Sequence, residues 1–318
     1  MRNYYVKLTQ ILNVVFQAKN QKVSLTSELK NRNSPIREWF DSRLNQTVIK
    51  MITSHNQLLE NQEIIRPVDG VDFPLVGNAI AKALAKYLGS IYEDKTWFTN
   101  CLAQVGAKAL KIEYAFDYCV TNSTSLEEEA LKCMLLGALE NYARSRNIHE
   151  IIQPFLQGEK TLRLEPEYFK KWLPSIQDTS QIIGILPRTW QTVANQVSGN
   201  ITCNASYPLS EYLGGADCQI IAGNTLIDVR TTAKKRPFSL ENFYQQISYV
   251  LLDSNDTYRI NQLVWFYSRQ QSVFFYPTNK IFRDLRATRE EFKKMILDNY
   301  ETNRLAEQNK CLYLPQEG

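Results

Sequence analysis

Two aspartates, Asp217 and Asp228, stand beside two apolar, strand-like segments of the sequence. The segments span Cys218–Ala222 and Thr225–Val229, with a Gly-Asn pair between them. Glycine and asparagine tolerate the positive φ angles of a tight turn, so this pattern predicts a β-hairpin. Pairing across the turn would place the two carboxylates at about the same height on neighbouring strands. Because Mg²⁺ prefers one or two carboxylates and keeps several waters, the hairpin could hold such a cation.

A helix is predicted to follow the hairpin. Ser239 is a favourable N-cap, and Phe243 and Ile247 then recur at the spacing of one helix face. Gln245 and Tyr249 are also four residues apart and therefore share a face of this helix. The helix would thus present a polar pair close to the two carboxylates.

This ordered set of residues resembles the PD-(D/E)XK nuclease superfamily, in its RecB-like branch. The family has an aspartate, then an Asp/Glu-x-Lys triplet on the next strand, then a helix with Gln-x-x-x-Tyr. Asp217 is similar to the first aspartate and Asp228–Arg230 to the triplet, while Gln245 and Tyr249 match the helical pair. Each motif alone is weak, so the resemblance depends on their order and spacing within Asn204–Ser268.

The resemblance implies an α/β (α+β) fold with a restriction-endonuclease-like mixed β-sheet core flanked by helices. It implies hydrolysis of phosphodiester bonds in nucleic acid, with DNA the favoured substrate and Mg²⁺ or Mn²⁺ the cofactor. Asp217, Asp228 and the Val229 carbonyl would hold the cation. Gln245 and Tyr249 would orient the strand from the following helix.

Two departures from the family pattern leave a second function open. Arg230 stands where the family has lysine; it keeps the charge and the affinity for phosphate but cannot act as a base. The branch also carries an upstream Gly-x-x-x-His motif, whose nearest match is Gly77–Ala81, with alanine at the histidine position. The alternative is therefore a catalytically degenerate nuclease-fold protein that binds nucleic acid or a protein partner.

Residues near the motifs have two readings each. Lys234, Lys235 and Arg236 form a basic cluster that could clamp a phosphodiester backbone or could simply be a solvated loop. Arg230 could contact phosphate or form a salt bridge near Asp228. Asp228 interrupts an apolar strand, where a charge needs a partner or a metal.

Composition is that of an ordinary globular protein. Of the 318 residues, 44% are hydrophobic and 22% are charged. The net charge of +4 is compatible with nucleic-acid binding but is not evidence for it. No segment has the apolar core of a signal peptide or a membrane span, so a cytoplasmic protein with no membrane partner is expected. The scattered cysteines make a zinc site unlikely on spacing grounds. Both histidines, His55 and His149, lie in polar stretches and are predicted to be at the surface.

The chain is predicted to form one continuous globule. Residues 1–180 would be a mainly helical region, and residues 181–318 a nuclease-like core with a C-terminal helix. The aromatic residues Trp265, Tyr267 and Phe275 could stack on bases, but a place in the core of the sheet is favoured for them. The predicted elements include helices over Ile36–Ile52, Pro74–Tyr92, Trp97–Tyr118, Leu126–Arg144 and Pro187–Val197, a final helix capped by Thr288, and strands over Thr161–Glu165, Asn261–Tyr267 and Ser272–Tyr276.

Overall fold

The computed structural model describes residues 24–43, 46–94, 97–98, 101–158 and 169–312, with side chains described as far as residue 301. These residues form twelve α-helices and one mixed sheet of five strands. This result confirms the predicted α/β (α+β) class and the mixed sheet. Within the described ranges, no helix is both long enough and apolar enough to cross a bilayer.

The elements are numbered in chain order. The helices are α1 Leu25–Lys30, α2 Pro35–Asp41, α3 Gln46–Glu60, α4 Phe73–Ile91, α5 Leu102–Ala109, α6 Glu113–Val120, α7 Leu126–Ser145, α8 Gln153–Leu156, α9 Leu173–Ile185, α10 Pro187–Ala194, α11 Leu240–Leu252 and α12 Leu285–Leu312. The strands are β1 Ile201–Cys203, β2 Ile220–Ala222, β3 Thr225–Arg230, β4 Gln262–Tyr267 and β5 Ser272–Pro277.

The strands lie in the sheet in the order in which they occur in the chain. β1, β2 and β3 form an antiparallel meander, β3 pairs parallel to β4, and β5 returns antiparallel to β4. A parallel pair needs a crossover connection, and α11 supplies it between β3 and β4. The crossover places α11 over one face of the sheet, directly beside the end of β3.

Alternation along β3 and β4 gives the sheet two buried faces. Leu226 and Trp265 pack into one core with α11, α12 and the first helices. Ile227 and Phe266 pack into the other core with the helices α4 to α10. Strands buried on both faces have continuous apolar sequences, and the sequence of β4 is of this kind.

The helical region is held by close helix packing. α5 and α7 cross at Gly106, where an added Cβ would lie 2.0 Å from the Leu139 carbonyl oxygen. Only glycine allows this approach, so the two backbones contact each other almost directly.

A buried ion pair joins the sheet to the helical region. Arg269, in the turn between β4 and β5, donates to both carboxylate oxygens of Asp178 on α9, at 3.0 and 2.5 Å. Both side chains are 0% exposed. Arg269 also donates to the Ile65 carbonyl, and its own carbonyl accepts from the Ile65 N–H. Nothing in the local sequence indicates that this turn is buried.

Several predicted boundaries were wrong. The segment Ile36–Ile52 is divided between α2 and α3, and Trp97–Tyr118 contains α5 and α6 with Lys111 between them at φ 61°. The final helix begins three residues before Thr288, because Asp284 accepts the Ala287 N–H at its start. The strand β1 was not predicted. The predicted strand Thr161–Glu165 lies outside the described residues.

The prediction of a surface position was wrong for His55. Its side chain is fully buried on α3, and neither ring nitrogen has a hydrogen-bond partner. Aromatic rings surround it, with the Phe238 centroid at 4.4 Å and the Tyr267 centroid at 5.4 Å. Burial lowers the pKa of His55 to about 3, because an imidazolium would be desolvated there.

We expect His55 to make the fold sensitive to acid. Its folded pKa is depressed, so the unfolded chain binds a proton below about pH 6.5 that the folded protein does not, and stability is lost as the pH falls. From about pH 7 to about pH 5 the loss is about 2 kcal/mol. His55→Leu should remove it, and urea unfolding at both pH values measures the difference. His149→Gln, which keeps His55, should lose stability like the wild type, and an identical loss in His55→Leu would contradict the assignment.

Candidate active site

The predicted hairpin is present. Ile220 pairs with Ile227 and Ala222 with Thr225 across the Gly-Asn turn. Gly223 has φ +58°, and an added Cβ would lie 1.7 Å from the Ser198 carbonyl oxygen, so no other residue fits there without a shift. β2 begins at Ile220, two residues later than predicted.

The register determines how the two aspartates lie. Continuing it beyond Ile220 places Gln219 opposite Asp228, so Asp217 is two positions further along rather than at the same height. Asp217 instead forms an isolated antiparallel bridge with Ser206. Because alternate residues of a strand share a face, both aspartates can still line the same cleft.

One cleft of about 140 Å³ brings the motif residues together. It lies at the end of β3, beneath α11, and its lining combines residues of the hairpin, of α11 and of α7. The lining residues are Asp217, Asp228, Arg230, Gln245 and Tyr249, together with Arg144, Cys218, Gln219, Leu226, Ile227 and Gln246.

A chain of hydrogen bonds runs from β3 to α11. Arg230 Nε donates to Asp228 Oδ2 at 2.5 Å, and Arg230 Nη2 donates to Gln245 Oε1 at 3.1 Å. Gln245 Nε2 then donates to the Tyr249 hydroxyl at 3.1 Å. The salt-bridge reading of Arg230 is therefore what the structure shows, and the guanidinium stays in the cleft. The helical pair fixes the orientation of the arginine.

Asp217 is held by groups outside the predicted motifs. Arg144 Nη2 donates to Asp217 Oδ2 at 2.5 Å, and Asn204 Nδ2 donates to the same oxygen at 3.2 Å. The side chain is only 11% exposed. Burial raises the pKa of Asp217 to about 6, although Arg144 acts against the rise. Burial therefore makes the ionised form of Asp217 less favourable than it is in water, and a further cation nearby would stabilise that form.

Sequence reasoning missed the residues behind Asp217. Glu140, one helical turn before Arg144, accepts from it at 2.8 Å and pairs with Lys82 of α4. Glu140 and Arg144 are four residues apart on a helix that is otherwise mostly apolar. This spacing could have indicated a buried charge cluster, because charges in such a helix need partners. Asn204 has φ 54°, a conformation that asparagine tolerates, and its side-chain oxygen accepts from the Leu102 N–H at 3.3 Å.

The donor set fits a hard cation. Asp217 and Asp228 supply carboxylate oxygens to the lining. Val229 is not itself a lining residue; it stands between Asp228 and Arg230, where β2 has already ended. The Val229 N–H donates to Gln219 Oε1 at 2.7 Å instead of to a strand partner. Since the N–H and C=O of one strand residue point to the same edge, the Val229 carbonyl faces that open edge too. Two carboxylates, a carbonyl and waters suit Mg²⁺ or Mn²⁺.

A zinc-type site is not formed by the described part of the chain. No group of three or more His, Cys, Asp or Glu residues is close enough there to hold a metal ion. The cysteines of that part are free and buried. The carboxylates in the cleft lining are those of Asp217 and Asp228.

The remaining predicted residues lie outside the cleft. Lys234, Lys235 and Arg236 are exposed on the loop after β3, and Arg236 lies 3.9 Å from Glu60. Their contact with nucleic acid stays a prediction. Ala81, at the family's histidine position, is buried in the helical core.

The aromatic residues of the sheet serve the core. Trp265 and Tyr267 are fully buried, and Phe275 is half-buried against the helical core. The preferred β-core reading therefore holds for the two buried rings, which bases could not reach.

No family model, curated protein or solved structure matches this chain.

Proposed function

We propose that this protein is a metal-dependent nuclease of the PD-(D/E)XK type that hydrolyses phosphodiester bonds of nucleic acid, with DNA the favoured substrate. One observation carries the proposal. The residues that match the family motifs all line a single cleft: Asp217, Asp228, Arg230, Gln245 and Tyr249. Three of these residues come from the hairpin region and two from α11, and a shared role explains why both elements present polar side chains to the same cleft.

Each residue has a role in this chemistry. Asp217, Asp228 and the Val229 carbonyl hold Mg²⁺ or Mn²⁺, which when bound supplies an activated water and neutralises charge on the phosphate. Arg230 stabilises the charge that develops on the phosphate, in place of the family's lysine. The sheet and crossover helix support this reading, because they form the mixed, helix-flanked core that the resemblance implies.

The surroundings complete the proposal. The exposed loop with Lys234, Lys235 and Arg236 would contact the backbone of the nucleic acid outside the cleft. We also place the protein in the cytoplasm, where a nuclease would meet its substrate.

A second candidate function has its own support. Each aspartate is already paired with an arginine, Asp217 with Arg144 and Asp228 with Arg230. Arginines in these positions balance the carboxylates without any metal. On this reading the protein is a catalytically degenerate member that binds nucleic acid or a protein partner.

A cleavage screen separates the two candidates. Labelled single- and double-stranded DNA and RNA are incubated with the protein and Mg²⁺ or Mn²⁺, with EDTA as the control. The nuclease proposal predicts metal-dependent products from at least one substrate. Binding that falls with salt but is unaffected by metal, without any product, would support the second candidate instead.

Arg230→Lys distinguishes an active site that uses arginine from one that has lost its lysine. If the arginine supports catalysis, we expect the lysine variant to cleave within about tenfold of the wild type, since both keep the positive charge. If only the variant cleaves, the wild type is a silenced enzyme. Single-turnover rates in Mg²⁺ and in Mn²⁺ give the comparison.

A further inference from the structure

Among the described residues, Arg144 is the one that the helical region contributes to the cleft lining. It lies in the last turn of α7, where a helix favours positive charge. Its guanidinium bridges two carboxylates, Asp217 Oδ2 at 2.5 Å and Glu140 Oε1 at 2.8 Å. The side chain is nevertheless 40% exposed, so it has a path to solvent and to anything bound at the mouth of the cleft.

The charges in and behind the cleft cancel. The cations and carboxylates are equal in number: Lys82, Arg144 and Arg230 against Glu140, Asp217 and Asp228. A cleft without net charge has little attraction for the phosphates of a nucleic acid. A divalent cation would add two positive charges and change that.

We propose that Arg144 is an exchangeable group, which holds Asp217 while the divalent cation is absent and turns to a substrate phosphate once the cation takes its place. The inference rests on the proposed function and assigns the order of binding: cation first, nucleic acid second. It adds to the site a phosphate-binding residue that the family motifs did not indicate.

The contacts explain why Arg144 exchanges and Arg230 does not. Arg230 is fixed by Asp228 on one side and Gln245 on the other, deeper in the cleft. Arg144 has a second carboxylate, because Glu140 remains paired with it after Asp217 is released. Glu140 is itself anchored by Lys82, and both of those side chains are nearly inaccessible. Arg144 can therefore leave Asp217 without becoming unpaired.

Arg144→Gln tests the exchange. Without the competing guanidinium, Mn²⁺ should bind at least about tenfold more tightly in calorimetric titration. With saturating Mn²⁺, a phosphorothioate DNA oligonucleotide should bind about tenfold more weakly, and the slope of log affinity against log salt should shrink by about one. A static positive charge at this position would also move the two affinities in opposite directions, so the resonance of Arg144, described below, decides whether the guanidinium changes partner.

The matched control is Arg43→Gln. Arg43 is also an arginine paired with a carboxylate, Glu291 at 3.0 Å, and its side chain is 43% exposed, but it does not line the cleft. The control should leave the Mn²⁺ affinity unchanged. A second measurement needs no charge-removing variant: the Nε–H resonance of Arg144, assigned with Arg144→Lys, should shift when Mg²⁺ is added to the wild type, and that of Arg43 should not.

The outcomes separate this inference from the proposed function. Unchanged or weaker Mn²⁺ binding in Arg144→Gln, or a silent Arg144 resonance at saturating Mg²⁺, overturns the exchange even if the wild type cleaves. If the wild type neither binds Mn²⁺ nor cleaves nucleic acid, the proposed function is wrong, and the exchange of Arg144 is then wrong as well.

Discussion

Asp228→Asn is expected to lower metal-dependent cleavage by at least about 10³-fold. A cation at such a site contributes several kcal/mol of transition-state stabilisation, and asparagine would remove one of its two carboxylate ligands. The variant should still fold, because asparagine has the same shape and Asp228 lies at the margin of the core rather than within it. Single-turnover cleavage of labelled DNA measures the rate, and a thermal melt checks the fold.

Asp256→Asn is the matched control. Asp256 is paired with Arg289 at 2.6 Å, but it is largely exposed and does not line the cleft. This variant loses an aspartate–arginine pair without touching the proposed metal ligands, so its cleavage rate should equal that of the wild type. Equal rates for Asp228→Asn and the wild type would remove Asp228 from the mechanism.

Arg269→Met should destabilise the protein by about 3–5 kcal/mol. The substitution leaves the Asp178 carboxylate buried without its cation, and Asp178 is 0% exposed. The Val68 N–H still donates to Asp178 Oδ1, but one neutral donor does not balance a buried charge. The free energy of unfolding in urea gives the effect.

Removing both charges separates the ion pair from packing. The double variant Arg269→Met with Asp178→Leu should recover part of the lost stability, because apolar replacements of a buried pair are often close to neutral. If Arg269→Met alone costs less than about 1 kcal/mol, the pair does not hold the sheet to the helical region.

The parts of the fold that the sequence could predict are local. The turn between β2 and β3 is predicted by the Gly-Asn pair, and Gly223 has the positive φ that such a turn needs. The strand β4 is predicted by its continuous apolar sequence. The start of α7 is equally readable, because Ser125, a favourable N-cap residue, directly precedes the predicted helix Leu126–Arg144 and accepts the Glu128 N–H. Turn residues, caps and apolar runs are fixed by neighbours in the chain, so they can be read without the fold.

The parts that could not be predicted depend on contacts between distant segments. Arg144 reaches Asp217 across 73 positions of the sequence, and nothing local indicates that pairing. His55 lies in a polar stretch, yet it is buried because rings of β4 and β5 and Phe238 enclose it. The order of the motif residues could be recognised in the sequence. The arginine that pairs with Asp217 could not, because it depends on how the end of α7 meets the segment before β2.

The central claim is that Asp217 and Asp228 together hold one hard cation. A crystal structure of the protein crystallised with Mn²⁺ tests this cation site most directly, because the anomalous scattering of Mn²⁺ locates the metal. We predict one anomalous peak in the cleft, within about 2.0–2.2 Å of an oxygen of each aspartate, with Arg144 withdrawn from Asp217. A cleft without a peak, with Arg144 and Arg230 still bridging the two carboxylates at saturating Mn²⁺, would contradict the account.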